Sequence, residues 1–171
     1  MDAFGVLIFQ VAGQQLSVAS TRAILRRLQE RFGGRLPSSP EILAVDPAEL
    51  RRAGFSGRKV ETLRELARRF SDGRLSAGAL ARMSDAEVEE ELRQVPGIGS
   101  WTVHGFLLIA LQRPDVVLSG DLALRRAIQR AYELDHLPSE HEVLRIAEAW
   151  RPYRSLAVSY LFASAFEPPR R

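Results

Sequence analysis

Helix starts are spelled out repeatedly along this 171-residue chain, and no stretch alternates apolar with polar residues convincingly enough to make a strand. A new helix leaves its first backbone N–H groups unpaired. A Ser or Asp at the cap, with Glu three residues on, satisfies two of them. Ser84-Asp85-Ala86-Glu87 and Ser139-Glu140-His141-Glu142 have that form. Asp46-Pro47-Ala48-Glu49 adds a proline at the first helical position, where its missing N–H removes no hydrogen bond. Ser17 precedes a run in which Ile24, Leu25, Leu28 and Phe32 share a face, ended by Gly33-Gly34. Ser56 opens another run carrying Leu63, Leu66 and Phe70. With short connectors rich in Gly, Pro and Ser, these signals predict an all-α fold of roughly ten short helices.

The size suits one domain spanning residues 1–171, or two small lobes sharing a core. The absence of cysteine excludes disulfides, thiolate zinc sites and a cysteine-ligated iron–sulfur cluster. No stretch approaches the ~20 apolar residues of a membrane span. The apolar run Val6–Phe9 is too short for a signal-peptide core. A soluble, cytoplasmic, monomeric protein of bacterial type is expected, with no membrane partner.

Charge is uneven. Residues 1–80 hold 13 Lys and Arg against 8 Asp and Glu, a net of +5; residues 81–171 hold 11 against 13, a net of −2. A basic half suits a polyanion, although a solvated charged surface accounts for it as well. Lys59 is the single lysine.

The most informative stretch is Val95-Pro96-Gly97-Ile98-Gly99-Ser100-Trp101, between helical segments Asp85 to Arg93 and Trp101 to Leu111. Pro96 stops the first helix. Gly97 and Gly99 permit positive φ and close backbone approach, and Ser100 is placed to cap the second helix. Such a hairpin turns backbone N–H groups outward at a helix N-terminus, which makes a phosphate-sized anion site at Gly97, Ile98 and Gly99. The plain alternative is a helix–turn–helix corner.

Val95-Pro96-Gly97-Ile98-Gly99 resembles the helix-hairpin-helix motif of the DNA glycosylase superfamily, and Ser100-Trp101-Thr102 is similar to its alkylpurine branch, the 3-methyladenine DNA glycosylase II family. Gly13-Gln14-Gln15-Leu16-Ser17, Arg113-Pro114-Asp115-Val116 running to Gly120-Asp121-Leu122, and Trp150-Arg151-Pro152-Tyr153-Arg154-Ser155 resemble three further segments of that branch, so the likeness runs from about Phe4 to Phe166. The resemblance implies a two-lobed helical bundle with the active site in the cleft. It implies that Asp121 is the catalytic carboxylate and that Trp101 and Phe162 line the base pocket. Gln15 would wedge into the gap left by a flipped nucleotide. The carbonyls of Arg93, Val95 and Ile98 would hold a structural Na+ or K+. Trp101 takes the place where strand-cleaving relatives keep a lysine. Relatives usually carry N-terminal helices or a small sheet domain before the segment that opens this chain, so a minimal member or a truncated product is expected.

The residues themselves support part of this. Breaking an N-glycosidic bond develops positive charge on the sugar, which a carboxylate stabilises while orienting water. Asp121 precedes the helical run Leu122 to Arg126, where the helix dipole favours the ionised form. Taken alone, Asp121 reads equally as a helix cap. Trp101 offers an electron-rich face to a cationic alkylated purine, or is a core tryptophan. Phe162 and Tyr160 lie in a largely apolar last helix, where packing is the expected role. His104, His136 and His141 show no metal-ligand spacing. Arg58 and Lys59 are candidates for a phosphate contact or a solvated helix end. The expected activity is monofunctional excision of alkylated purines from damaged duplex DNA. The alternatives are a non-catalytic helix-hairpin-helix DNA-binding protein, a glycosylase for other bases, and a helical adaptor unrelated to DNA.

Overall fold

A computed structural model describes residues 1–166, with side chains to residue 164. Eleven α-helices account for its regular structure, with one short 3₁₀ turn at Glu148–Trp150 and no strand among the described residues. In order they are α1 (Ala3–Gly13), α2 (Val18–Arg31), α3 (Ser39–Ala44), α4 (Pro47–Ala53), α5 (Gly57–Ser71), α6 (Ala77–Arg82), α7 (Asp85–Arg93), α8 (Ser100–Ile109), α9 (Leu122–Ala131), α10 (Glu140–Ala147) and α11 (Arg154–Phe166). The chain divides into two compact units, Met1–Phe106 and the part beginning at Leu107. No helix among the described residues is long and apolar enough to cross a membrane.

The caps fall where the sequence places them. Ser17, Ser56, Ser84 and Ser139 each accept the N–H of the third helical residue, and the last two form complete boxes with Glu87 and Glu142. Asp46 caps α4 through the N–H of Ala48, but the reciprocal half of its expected box is missing. Glu49 instead pairs with Arg31 at 2.7 Å and with Arg52. The gain from holding α2 to α4 displaces the local bond.

In the first unit α1 is buried nearly all round, from Phe4 to Ala12 apart from half-buried Phe9. A helix apolar on every side belongs at the centre of a core, and α2 and α5 pack against it. On α5, Val60, Leu63, Leu66 and Ala67 make the inward face, backed by α3 and α4. In the second unit α9 buries Leu124, Ala127 and Ile128 and packs on α11 and α10.

The candidate DNA-repair site

The hairpin is built as a braced turn. α7 ends at Arg93, Val95 and Ile98 point into the core, and the Ile98 N–H donates to the Val95 carbonyl at 3.0 Å. Gly97 adopts φ +88°, and a Cβ there would stand 2.3 Å from Thr62 Oγ. Thr62, on α5, uses that hydroxyl to donate to the Pro96 carbonyl at 2.9 Å. Gly97 is therefore required both for its backbone conformation and for the closeness of α5. Gly99, expected to need the same freedom, has no positive φ and faces open space. Like Gly97, it is exposed.

Ser100 departs from its expected role. It is the first residue of α8 rather than its cap, and its hydroxyl donates to Glu89 Oε1 on α7 at 2.8 Å. Glu89 also meets Arg93 at 3.4 Å and His104 at 3.9 Å. His104 is half-buried against this carboxylate, a brace between the two hairpin helices.

The end of α1 is tied to the hairpin. Gln14 Nε2 donates to the Gly97 carbonyl at 2.9 Å and to Thr102 Oγ1 at 3.0 Å. Gln15, next in sequence, is exposed and held at φ +55°, a left-handed conformation that is uncommon without glycine. Lys59 is not a solvated helix end. Its Nζ donates to the carbonyls of Ala12 and Gln14, both at 2.9 Å, and its burial there pushes the ammonium below its ordinary pKa. The indole of Trp101 is half-buried, with Cη2 3.6 Å from where a Cβ on Gly13 would stand. One turn along α8, Gly105 leaves room for the buried amide of Gln10, which a Cβ would meet at 2.4 Å.

The second unit positions Asp121. Its Oδ1 accepts the Leu124 N–H at 2.9 Å, so it does cap α9, at φ −74° and ψ 121°. The carboxylate is half-buried. A carboxylate here meets the converging N–H groups of the helix start. The loop leading to Asp121 is clamped by α11. Ser155 Oγ donates to the Arg113 carbonyl at 2.5 Å and accepts the Val116 N–H at 3.0 Å. Arg154 meets both carboxylate oxygens of Asp115, at 2.6 and 2.9 Å, and the Asp115 carbonyl at 2.9 Å. The last two sequence segments singled out above are thus two halves of one clamp. Phe162 is half-buried on α11, whereas Tyr160 is 71% exposed and does not pack.

The clamp makes a pH-dependent prediction. Hydrogen bonding to Arg154 holds the Asp115 carboxyl below its ordinary value. A lowered folded pKa contributes stability above the unfolded pKa, and that stability is lost as pH falls through the folded value. Asp115→Asn should lower the melting temperature at neutral pH by about 2–6 °C, from a loss of ~1–1.5 kcal/mol. The gap to wild type should close below about pH 4. Thermal melts across pH check this; a gap independent of pH would contradict it.

Comparisons with known proteins identify the family. Residues 8–152 match the HhH-GPD superfamily base excision DNA repair protein family. The chain is similar to DNA-3-methyladenine glycosylase 1 of Schizosaccharomyces pombe, 34% identical over 93% of this chain and 71% of that one. It is 32% identical to a putative DNA-3-methyladenine glycosylase of Bacillus subtilis, over 88% of this chain but only 55% of that protein. The solved structure of the S. pombe 3-methyladenine DNA glycosylase in complex with abasic DNA superposes with a TM-score of 0.91 at 31% identity, covering 99% of this chain and 84% of that one. The chain belongs to the HhH-GPD superfamily of base excision DNA repair proteins.

Proposed function

We propose that this chain is a monofunctional DNA glycosylase that releases alkylated purines, of the 3-methyladenine type, from duplex DNA. The observation that carries the reading is Asp121: a carboxylate at the N-terminus of α9, on a loop that Arg154 and Ser155 hold in place. The name of the S. pombe relative, together with the family, supports the same substrate class.

The steps follow from the residues. The hairpin backbone at Gly97 and Gly99 takes a backbone phosphate without reading sequence, while the Ile98 N–H is given to the Val95 carbonyl and braces the turn. A base inside the duplex is out of reach, so its nucleotide is turned out. Gln15, exposed and held in a left-handed backbone conformation, fills the gap. The purine stacks on Trp101, where a cationic ring gains ~1–2 kcal/mol over a neutral one. The bond from C1′ to the purine nitrogen then breaks, with its electron pair leaving on the base. Asp121 stabilises the positive sugar and takes a proton from the water whose oxygen adds to C1′. The main-chain carbonyls of Arg93, Val95 and Ile98 are oxygen donors of the kind a hard cation takes, and a Na+ or K+ there would stiffen the turn. The Val95 carbonyl accepts one hydrogen bond and keeps a lone pair for such an ion. The reading extends to a monomer working on damaged DNA in the cytoplasm.

A strand-cleaving enzyme needs an amine to attack the sugar. Lys59, the only lysine, has its Nζ bonded to two carbonyls of the first unit. The product should therefore be an abasic site in an unbroken strand. Methylated duplex incubated with the chain should nick only after hot alkali, and borohydride should trap no protein–DNA adduct. A nick without alkali, or a trapped adduct, would overturn the monofunctional assignment.

A further inference from the structure

We infer that Lys59 is a positioning residue that sets the wedge Gln15 at a fixed place relative to the hairpin, so that gripping the phosphate and turning out the nucleotide act as one event. This rests on reading Gln15 as the wedge.

The end of α1, the hairpin and α5 form a closed ring of hydrogen bonds. From α5, Lys59 grips the carbonyls of Ala12 and Gln14, and Thr62 grips the carbonyl of Pro96. These two residues are three apart and so lie on one face of the helix. Gln14 closes the ring by reaching the Gly97 carbonyl and Thr102. One turn of one helix therefore holds both elements.

The atom Lys59 holds is telling. The Gln14 carbonyl belongs to the peptide that links Gln14 to Gln15, so its orientation bears on the backbone conformation of Gln15. That residue sits at φ +55° with its side chain exposed. An unfavourable backbone conformation persists only where its surroundings over-determine it; here they are the turn closed by the Leu16 N–H on the Gly13 carbonyl at 3.1 Å and, on the Gln14 carbonyl, Lys59. An ammonium on a long stem carries three donors and suits the negative end of α1. Burial lowers its pKa, so the contact is kept despite a desolvation cost. A helix end that needed only stability could leave these carbonyls to water.

The test uses the full-length chain, as wild type, Lys59→Met and Lys59→Arg, with two readouts. The first is the fluorescence of 2-aminopurine placed beside an alkylated purine in a duplex, which rises when the neighbouring nucleotide leaves the stack. Wild type should raise it, Lys59→Met should lose most of the rise, and Lys59→Arg should restore much of it. The second is base release from the same lesion in duplex and in single-stranded DNA. Lys59→Met should lose about 10–100-fold on the duplex, the scale of an ångström-sized misplacement, and markedly less on the single strand, which needs no wedge. Equal losses on both substrates would make Lys59 a merely structural residue and overturn the inference. So would an undiminished fluorescence rise in Lys59→Met, or no rise with wild type. If wild type releases base from neither substrate, the proposed function falls, and the fluorescence readout still decides the role of Lys59.

Discussion

Asp121→Asn should abolish base excision to within the noise of most assays, a loss on the order of 10³-fold, while the protein folds and binds DNA as before. Removing one preorganised electrostatic partner of a transition state costs ~3–4 kcal/mol, and in the proposed reaction the charge removed is the one that stabilises the developing cation. The amide keeps the shape of the side chain and an oxygen for the Leu124 N–H, which Asp121 accepts at 2.9 Å. Asn and Asp are close to equal as caps, so the melting temperature should stay within a few degrees of wild type. The substitution therefore separates the two roles that share this residue. Single-turnover base release, a thermal melt and a DNA titration on the same preparation check it. Turnover within a few-fold of wild type would reduce Asp121 to a helix cap.

Gly97→Ala should weaken DNA binding tenfold or more, and equally for every sequence. The left-handed conformation costs a Cβ-bearing residue ~1–2 kcal/mol. The new Cβ would also stand 2.3 Å from Thr62 Oγ1, which is short and buried and bonded to the Pro96 carbonyl. The hairpin must open or α5 must move, and either breaks the ring that Gln14 closes. A drop of roughly 5–10 °C in melting temperature should accompany the loss. Gly99→Ala makes the useful contrast. Its Cβ meets nothing within 4 Å, so the fold should be untouched. Any loss of affinity there reports the approach of a phosphate to the backbone. Salt titrations of both variants measure this, because lost phosphate contacts flatten the salt dependence. Wild-type affinity in both variants would remove the hairpin from the DNA interface.

The parts of this account that were legible in the sequence are those whose hydrogen bonds close within a few residues. Ser84 with Glu87, Ser139 with Glu142, Ser56 with Lys59 and Asp121 with Leu124 are three apart, so adjacent letters carry them. The hairpin was legible because proline, two glycines and the apolar Val95 and Ile98 admit few backbone paths. What stayed hidden depends on helix docking. Lys59 finds Gln14 across 45 residues, Gln14 finds Gly97 across 83, and Thr62 finds Pro96 across 34. Nothing near any of these residues announces the partner. Lys59 could be noticed only as the sole lysine, a fact of composition that does not say what it holds. Where a local rule and a docking contact competed, docking won: Ser100 gave up capping α8 for Glu89, and Glu49 left its box for Arg31. The role of Gly105 is hidden in the same way, because a mid-helix glycine reads as a weak spot, whereas here it admits the Gln10 amide.

The central claim is that the chain breaks N-glycosidic bonds of alkylated purines. The direct measurement is chromatography of the small molecules liberated when the purified chain meets methylated duplex DNA. The account predicts free 3-methyladenine in solution, matched by one abasic site per base released, and absent with Asp121→Asn. Binding to the duplex with no free base released by the wild-type chain would contradict it, and would leave a DNA-binding protein without this chemistry.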